Sequence, residues 1–449
     1  SYGALRVRWG VDASVLQRVG DSERLGGWVP AAFQGYSAGA APRFTMLLET
    51  PFRTSDLDAI SKAVNDGLAK AKVPGASVAI AKDGRLLYAA GFGKANLRTG
   101  ELMDVRHRLR IYSVSKMITS AAVYKLARDF ARTPFGPLAL LDRKVFGSTG
   151  ILREVTLPAA MNDLKGATVH QFLQHLAGLP ADVYLPTNCN AGGAKGNATL
   201  SARIQDALTR YAKDHPGKAL LGKPGEYTKY SNMNFIVAEA VIEKLSGRRY
   251  ADYVRSRVLA PAGLATSGPL APALFTIGDF TGANAASGEA GHYNADGTYA
   301  AWRAADTCGN EPPGAGAGGW AMSAVDLLRW FTSIDGKPGR VPELFTGRDL
   351  KTFRTPGAPT KGGDTYLASG IDVDTGWNFC GSPATIRQGH NGGNPGANSE
   401  LFEFQDGYSL AVIVNGNVPA GACTGSGEIV KNLIDLPLSS IDWPDGNQF

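Results

Sequence analysis

Two strand-rich ends and a helical middle constrain the fold of residues 55–449 more than any other feature. Short apolar runs of strand type occupy both ends, at residues 76–81, 85–91, 384–388, 399–404 and 408–415. The first two runs are joined by Lys82-Asp83-Gly84, a strong hairpin signal. Helical periodicity precedes the first pair at residues 56–72 and follows the last strand at about 427–434. The two ends most economically share one antiparallel sheet with the terminal helices packed on it, which predicts an α+β fold.

The middle of the chain is predicted to form a second, mostly helical lobe. Its helices are expected at residues 168–176, 200–214, 233–245 and 324–334. Two stretches rich in glycine, alanine and asparagine, about 186–198 and 277–319, are interpreted as long surface loops over a cleft. The sheet lobe is then expected at about 54–110 and 366–449, and the helical lobe at about 111–365.

Residues 1–53 are interpreted as a separate, small β segment. Leu5–Trp9 alternates in polarity and Arg43–Glu49 is a second candidate strand, with turns marked by glycine and proline between them. Residues 54–449 then form one larger domain.

The composition argues against several classes of function. The chain has 449 residues and a formal net charge of +6, but its basic residues are spread thinly, so no nucleic-acid surface is expected. No segment approaches the roughly 20 apolar residues of a membrane-spanning helix, so no span is predicted. The cysteines lack metal-ligand spacing, and neither a metal nor another cofactor is expected.

Four cysteines stand far apart: Cys189, Cys308, Cys380 and Cys423. Their even number fits two disulfides in an exported protein as well as it fits four buried thiols. Since Cys189 and Cys308 fall in the two predicted loops, a bridge between them is one option. The chain begins without methionine and without a basic-then-apolar leader, so Ser1 looks like a processed or trimmed start. We expect an extracytoplasmic protein, secreted or periplasmic.

A serine and a lysine one helical turn apart form the first candidate catalytic element. Ser113 and Lys116 open a strongly helical stretch with an apolar stripe on one face, which continues to Leu126. Free N–H groups at a helix N-terminus can hold an oxyanion, and a desolvated lysine can act as a base. The alternative is an N-cap serine with a surface lysine, because about one match to this short pattern is expected by chance.

The second element is Tyr230-Ser231-Asn232, just ahead of a predicted helix. In the functional interpretation it places a phenol and a carboxamide in the cleft opposite Ser113. A tyrosine near a lysine ammonium has a lowered pKa and can pass protons to and from a leaving group. The alternative is a helix cap preceded by a half-buried aromatic residue.

The third element is the glycine-rich end of a strand, residues 387–396, which contains His390, Gly392 and Gly393. Glycines in an edge strand let the backbone approach a ligand closely, and a free N–H there would complete an oxyanion hole with the Ser113 N–H. The alternative is a bulged hairpin with one exposed histidine.

In combination, these three elements resemble the signature motifs of the penicillin-binding-protein and class C β-lactamase-like serine hydrolases, in the same order and at similar intervals. The resemblance extends over about residues 55–436. It implies an acyl-enzyme mechanism on a small-molecule ester or amide or on a peptide. Ser113 would attack the carbonyl, Lys116 and Tyr230 would share the base and acid roles, and the N–H groups of Ser113 and Gly393 would hold the oxyanion. Asn232 would bind the substrate amide or position Lys116.

One departure from that family affects the expected substrate. β-Lactamases usually carry Lys-Thr-Gly where this chain has His390-Asn391-Gly392. A mostly neutral histidine attracts the carboxylate of a β-lactam less than a lysine does. This favours an esterase or peptidase, with a β-lactamase or a penicillin-binding sensor as the alternative. Residues 142–152 also resemble the branch that includes polyglycine hydrolases, whose members carry small β repeats, and residues 1–50 could be one such repeat.

Two further motifs offer competing interpretations. Gly35–Gly39 matches the G-x-S-x-G nucleophile elbow of α/β-hydrolases, with Ser37 as the nucleophile, but no helix is predicted after it. Gly314–Gly319 fits a dinucleotide-binding pattern, but it follows two prolines rather than a strand and is interpreted as a flexible lid edge.

Overall fold

The computed structural model of the chain describes residues 5–39, 41–50, 52–129, 138–185, 199–265, 272–274, 314–337, 339, 341–345, 347–363, 366–373, 379–394, 396–416 and 425–443. Within these residues the α-helices are α1 (Leu16–Leu25), α2 (Thr54–Ala71), α3 (Ser115–Asp129), α4 (Val169–Leu173), α5 (Leu200–Asp214), α6 (Asn232–Ser246), α7 (Tyr250–Val254), α8 (Ala315–Gly318), α9 (Ala324–Thr332), α10 (Gly347–Phe353) and α11 (Ser426–Ile434). The strands are β1 (Leu5–Asp12), β2 (Val29–Ala38), β3 (Ala41–Glu49), β4 (Gly75–Lys82), β5 (Arg85–Gly93), β6 (Leu109–Arg110), β7 (Tyr227–Thr228), β8 (Ala273–Leu274), β9 (Trp320–Met322), β10 (Gly362–Gly363), β11 (Asp372–Val373), β12 (Ile386–Asn394), β13 (Ala397–Phe404) and β14 (Tyr408–Val414).

One antiparallel sheet joins the two ends of residues 54–449. Its six strands run in the order β11-β12-β13-β14-β4-β5, and β4 pairs with β14 from Ala76–Val414 to Lys82–Tyr408. The predicted hairpin links β4 to β5, where Asp83 and Gly84 take left-handed φ values of 49° and 75°. Two left-handed residues in succession are typical of a type I′ turn. The predicted α+β fold is therefore confirmed.

Both faces of the sheet are covered. On one face, Val78 and Ile80 of β4 pack with α2 and α11, and on the other, Ala79 and Ala81 contact the helical lobe. Successive side chains of a strand point to opposite faces, so a strand covered on both sides carries a continuous apolar run. This explains why β4 and β14 are mostly apolar rather than alternating, with buried serines at Ser77 and Ser409.

Helix α3 lies at the centre of the helical lobe and is buried on nearly every side. The predicted apolar stripe is buried, and the polar residues Ser115, Thr119 and Ser120, which lie outside it, are equally inaccessible. The Thr119 hydroxyl donates to the carbonyl of Gly316 at 2.7 Å. Polar contacts therefore run through the core of the helical lobe, which forms one wall of the candidate active site.

The segment around α8 is part of the core of the helical lobe. The Gly316 N–H donates to Glu239 Oε2 at 2.6 Å, and Ala315 and Ala317 are buried. The interpretation of 314–319 as a flexible lid edge, and as part of a surface loop, is therefore wrong. The rest of the 277–319 stretch and residues 186–198 lie outside the described residues.

The N-terminal residues contain a helix that the sequence did not indicate. A three-stranded sheet in the order β1-β3-β2 carries α1 between β1 and β2, and β2 was also missed. Helix α1 contains a glycine and several charged residues. It is held against β1 by side-chain contacts, one of which is the hydrogen bond from Arg6 to the Glu23 carboxylate at 2.8 Å. Ser37 lies within β2, opposite Pro42. The nucleophile-elbow interpretation is wrong because a strand hairpin, rather than a strand–turn–helix, surrounds this serine.

Residues on either side of position 53 share one hydrophobic core. Trp28, Met46, Leu48 and Phe52 belong to the same buried cluster as the α2 and α11 side chains. A cavity of about 760 Å³ opens between β1, α1, α2 and β5. The N-terminal sheet is thus packed on the outer face of the larger unit.

The remaining sequence predictions concern covalent links, membranes and metals. Cys380 is disulfide-bonded, whereas Cys189, Cys308 and Cys423 lie outside the described residues. Among the described helices, none is both long and apolar enough to cross a bilayer. The described His, Cys, Asp and Glu side chains form no group of three or more that could hold a metal ion.

Candidate active site

Ser113 lies on a tight turn immediately before α3, not on the α-helix itself. Residues Tyr112–Val114 form one turn of 3₁₀-helix, and Tyr112 takes a left-handed φ of 42°. A bulky residue in this conformation is strained, and such strain concentrates at functional sites. Ile111 holds the turn in place, because its N–H donates to Trp320 O at 3.0 Å and its carbonyl accepts from Ser399 Oγ at 2.8 Å. The turn presents the half-buried Ser113 side chain at the junction of the two lobes.

Lys116 is one turn further along and is completely buried, with 0% of its surface exposed. Its Nζ atom lies 3.0 Å from Ser113 Oγ and donates to the carbonyl of Ala317 at 2.6 Å. Burial lowers the pKa of Lys116 well below 10.5. A neutral amine can accept the proton of the serine hydroxyl, which makes Lys116 a candidate general base.

Tyr230 completes the contact with the serine from the opposite side. Its hydroxyl donates to Ser113 Oγ at 2.7 Å, and the Lys116 Nζ lies 4.7 Å from the centre of its ring. Burial raises the pKa of Tyr230, and the hydrogen bond to Ser113 opposes this only in part. The sequence-based expectation of a lowered pKa is wrong, because burial of the phenol raises its pKa more than the hydrogen bond to Ser113 lowers it. The phenol is therefore a proton donor.

The glycine-rich part of β12 lies directly beside Ser113. A Cβ at Gly392 would lie 2.9 Å from Ser113 N and would overlap the carbonyl of Ile111. Gly393 is paired with Asn398 in the ladder between β12 and β13. The Ser113 N–H makes no hydrogen bond to any described residue. A backbone N–H without a partner next to a closely approaching strand is the arrangement that an oxyanion hole requires.

His390 is buried on the same strand, and so it is not the exposed histidine of a bulged hairpin. It is 4% exposed, and its ring centroid lies 6.0 Å from that of Tyr230. Burial lowers its pKa to about 3, although a contact with the Asn391 carbonyl favours the charged form. The histidine is neutral at physiological pH, so it adds no positive charge to the site.

Asn232 is the first residue of α6, two residues after Tyr230. Its side chain is partly exposed. The structure places it next to the tyrosine segment but shows no contact between its carboxamide and Lys116. Its predicted role in binding a substrate amide stays a prediction.

Two contributors to this site were missed from the sequence. One is the carbonyl of Ala317, which accepts from Lys116, and the other is His175, which packs on the ring of Tyr230 with centroids 4.6 Å apart. Both occur in stretches that resemble the serine hydrolase family, around 168–180 and 318–326. Nothing in the residue types alone assigns a role to a backbone carbonyl or to a histidine in a left-handed conformation.

Known proteins are similar to this chain in sequence and in fold. The β-lactamase family model matches residues 60–429. D-aminopeptidase of Brucella anthropi is 29% identical over 214 residues, which are 47% of this chain and 35% of that protein. Protein flp of Staphylococcus aureus (strain N315) is 28% identical over 206 residues, which are 45% of this chain and 36% of that protein. The matched part of this chain thus spans about a third of the length of these curated relatives.

Solved structures show the same architecture. The D-amino acid amidase of Ochrobactrum anthropi SV3, in complex with L-phenylalanine, has a TM-score of 0.62 at 20% identity and covers 85% of this chain and 98% of its own. The octameric penicillin-binding protein homologue of Pyrococcus abyssi has a TM-score of 0.61 at 21% identity, over 86% of this chain and 78% of its own. At this level of identity the likeness concerns the fold. Since the family model covers most of the chain, the protein belongs to the β-lactamase family.

Proposed function

We propose that this protein is a serine hydrolase that cleaves an amide, peptide or ester bond through an acyl-enzyme on Ser113. The observation that carries the proposal is the placement of Ser113 Oγ between Lys116 Nζ, at 3.0 Å, and the Tyr230 hydroxyl, at 2.7 Å. A serine hydroxyl needs an adjacent base to become a nucleophile, and a buried amine of lowered pKa is such a base.

The reaction follows from the protonation states. Neutral Lys116 accepts the hydroxyl proton as Ser113 Oγ attacks the substrate carbonyl, and the oxyanion forms beside the Ser113 N–H and the glycine-lined edge of β12. The Tyr230 phenol is protonated, so it can give a proton to the departing amine or alkoxide and recover one through Lys116. The carbonyl bond to the leaving group breaks, and a water molecule then attacks the acyl-enzyme and regenerates Ser113.

The substrate is proposed to be an uncharged or amine-bearing amide, small peptide or ester rather than a carboxylate-bearing β-lactam. The D-aminopeptidase and the D-amino acid amidase among the similar proteins act, by their names, on amino-acid derivatives. His390 is neutral where a lysine would attract a carboxylate. Asn232 is proposed to bind the amide of the substrate.

The protein is also proposed to work outside the cytoplasm, either secreted or periplasmic. The disulfide at Cys380 supports this, because disulfides persist mainly in oxidising compartments.

Labelling and turnover test the proposed reaction. The purified chain is treated with a fluorophosphonate, and the labelled peptide is identified by mass spectrometry. Turnover is measured on D- and L-alaninamide, a glycine-rich peptide, p-nitrophenyl acetate and nitrocefin. We expect label on Ser113 and turnover of an amide, peptide or ester, with Ser113→Ala reducing kcat by about 10³-fold or more.

Ser37→Ala is the matched control and should keep full activity. Acylation without turnover would identify a penicillin-binding sensor instead. A kcat of Ser113→Ala within tenfold of the parent would overturn the assignment of the nucleophile.

A further inference from the structure

His175 holds the chain on both sides of Tyr230. The N–H of Lys229 donates to the carbonyl of His175 at 2.9 Å, and the N–H of Ser231 donates to its ring atom Nδ1 at 3.1 Å. Residues 229–231 lie between β7 and α6 and belong to neither a strand nor a helix. Without regular structure, a segment needs other partners for its backbone groups, and here a single residue provides two of them.

The ring of His175 also fixes the ring of Tyr230. The two centroids are 4.6 Å apart with planes inclined by 32°, and the ring of Phe235 lies 5.2 Å from His175. Since His175 is 1% exposed, its ring cannot move without displacing both neighbours. The contact therefore restricts the orientation of the phenol whose hydroxyl donates to Ser113.

The hydrogen bonds define which ring nitrogen carries the proton. A backbone N–H can only donate, so Nδ1 of His175 accepts from Ser231, and it lies 3.0 Å from Asn234 Nδ2 as well. The hydrogen of the neutral ring is thereby assigned to Nε2. A proton on Nδ1 would face two donors, and the charge would be buried beside Lys116 and His390. The acceptor role holds only for the neutral ring.

The backbone of His175 is left-handed, with a φ of 57°. This conformation is unfavourable for most residues and less so for asparagine. It follows the last turn of α4, where Gln174 is the C-cap residue. The reversal of the chain at this point lets the carbonyl and the ring of one residue both reach the segment 229–231.

We propose that His175 is a positioning residue, which holds the hydroxyl of Tyr230 at hydrogen-bonding distance from Ser113 by gripping residues 229–231. The proposal rests on the proposed function, because it assigns a task only if Tyr230 serves Ser113. It predicts that His175 acts on the reaction through Tyr230 and not by contact with the substrate.

Two substitutions separate the effect of the Nδ1 acceptor from the effect of the aromatic ring. His175→Asn keeps an acceptor near the position of Nδ1 and tolerates the left-handed backbone, whereas His175→Phe keeps an aromatic face without the acceptor. The readout is the maximal rate of Ser113 labelling by a fluorophosphonate and the concentration for half that rate. We expect His175→Phe to slow labelling by about 30-fold and His175→Asn by about threefold to tenfold. The half-saturating concentration should stay within about threefold of that of the parent.

A double-mutant cycle with Tyr230→Phe decides whether the effect passes through the phenol. In the Tyr230→Phe background, which has no hydroxyl to position, each His175 substitution should change the labelling rate by less than about twofold. Equal effects in both backgrounds would show a general structural role and overturn the proposal. If His175→Phe does not fold, the cycle with His175→Asn gives the decision.

His170→Asn is the matched control. His170 is a half-buried histidine on α4, and its Nε2 contacts the Tyr124 hydroxyl at 3.3 Å rather than residues 229–231. Its substitution should lower the melting temperature while leaving the labelling rate within about twofold of that of the parent. A parent chain that takes no label on Ser113 would refute the proposed function. If the parent is labelled on Ser113 and both His175 variants are labelled at the parent's rate, only the positioning role is refuted.

Discussion

The amine of Lys116 lies 3.0 Å from the hydroxyl of Ser113 and is sealed from solvent. The nearest acceptor for its remaining hydrogens is the carbonyl of Ala317. No described carboxylate forms an ion pair with Lys116, so burial of the ammonium favours the neutral form and lowers the pKa of the amine. The fold thus shifts its candidate base towards the deprotonated state, and the consequences can be measured.

The first prediction concerns the pH dependence of the reaction. Because the pKa of Lys116 is lowered well below 10.5, its amine loses its proton at a lower pH than an ordinary lysine. The value of kcat/KM should rise as Lys116 deprotonates and become level at a pH well below 10.5. A pH series from about 5 to 10 with p-nitrophenyl acetate checks this. A rate that keeps climbing to pH 10 would mean that the lysine is charged in the free enzyme.

The second prediction is that Lys116→Met stabilises the fold while it removes activity. Between the lowered folded-state pKa of Lys116 and about pH 10.4, the unfolded parent binds the Lys116 proton and the folded parent does not. Within this window the stability of the parent rises with pH by about 1.4 kcal/mol per unit. The variant lacks this dependence. Its advantage in free energy of unfolding should therefore be largest at low pH and shrink towards pH 10. Urea unfolding at pH 6, 7.5 and 9 measures the difference, and a constant difference would contradict the buried neutral amine.

The third prediction isolates the hydroxyl of Tyr230. Tyr230→Phe keeps the ring against His175 but removes the hydrogen bond to Ser113. We expect kcat to fall by about 10²- to 10⁴-fold with little change in KM, as for the loss of a proton-transfer group. Tyr227→Phe, three residues earlier on β7, is the control and should be neutral. If both variants behave alike, the phenol has no special part in the reaction.

The fourth prediction compares neighbouring glycines. A methyl group at Gly392 would overlap the carbonyl of Ile111 and lie 2.9 Å from Ser113 N, whereas one at Gly393 would meet the end of the Asn398 side chain. The backbone of Ile111 and Ser113 cannot move aside as easily as the end of the Asn398 side chain can. Gly392→Ala should abolish labelling of Ser113, and Gly393→Ala should retain most of it because its N–H is unchanged. Equal labelling in the two variants would show that β12 does not have to approach the serine this closely.

The fifth prediction concerns substrate choice. Neutral His390 contributes no attraction for a carboxylate, and a lysine in its place would. His390→Lys should raise kcat/KM for nitrocefin relative to p-nitrophenyl acetate by about tenfold, with a smaller change in the rate of Ser113 labelling. His390→Gln, which stays uncharged, is the control. A uniform loss on both substrates would indicate that the histidine supports the strand rather than selecting the substrate.

The sequence-based predictions were most accurate where the residue pattern of a segment agrees with its place in the fold. Five of the six strands of the central sheet were predicted because both ends of the larger domain carry apolar runs, whereas the two-residue strand β11 was missed. Leu200–Asp214 was predicted with its observed bounds. Ser113, Lys116 and Tyr230 were singled out by residue type and spacing. In the structure, Lys116 Nζ and the Tyr230 hydroxyl both lie within hydrogen-bonding distance of Ser113 Oγ.

The errors arise where tertiary contacts override local pattern. Helix α1 was missed although it contains good helix formers such as leucine, arginine and glutamate, because a glycine interrupts the segment. The ion pair between Arg6 of β1 and Glu23 of α1 is visible only in three dimensions. Residues 314–319 were interpreted as a loop because they contain several glycines. Small residues are needed there because this segment packs closely against α6. The pKa of Tyr230 was misjudged because burial outweighs any nearby charge.

The shared core across position 53 has a consequence for handling the protein. Trp28, Met46, Leu48 and Phe52 cover apolar side chains that belong to α2 and the outer face of the sheet. A proteolytic cut or a shortened expression form starting at residue 54 would leave that surface bare to water. Such a fragment would retain every residue assigned to catalysis and still tend to aggregate.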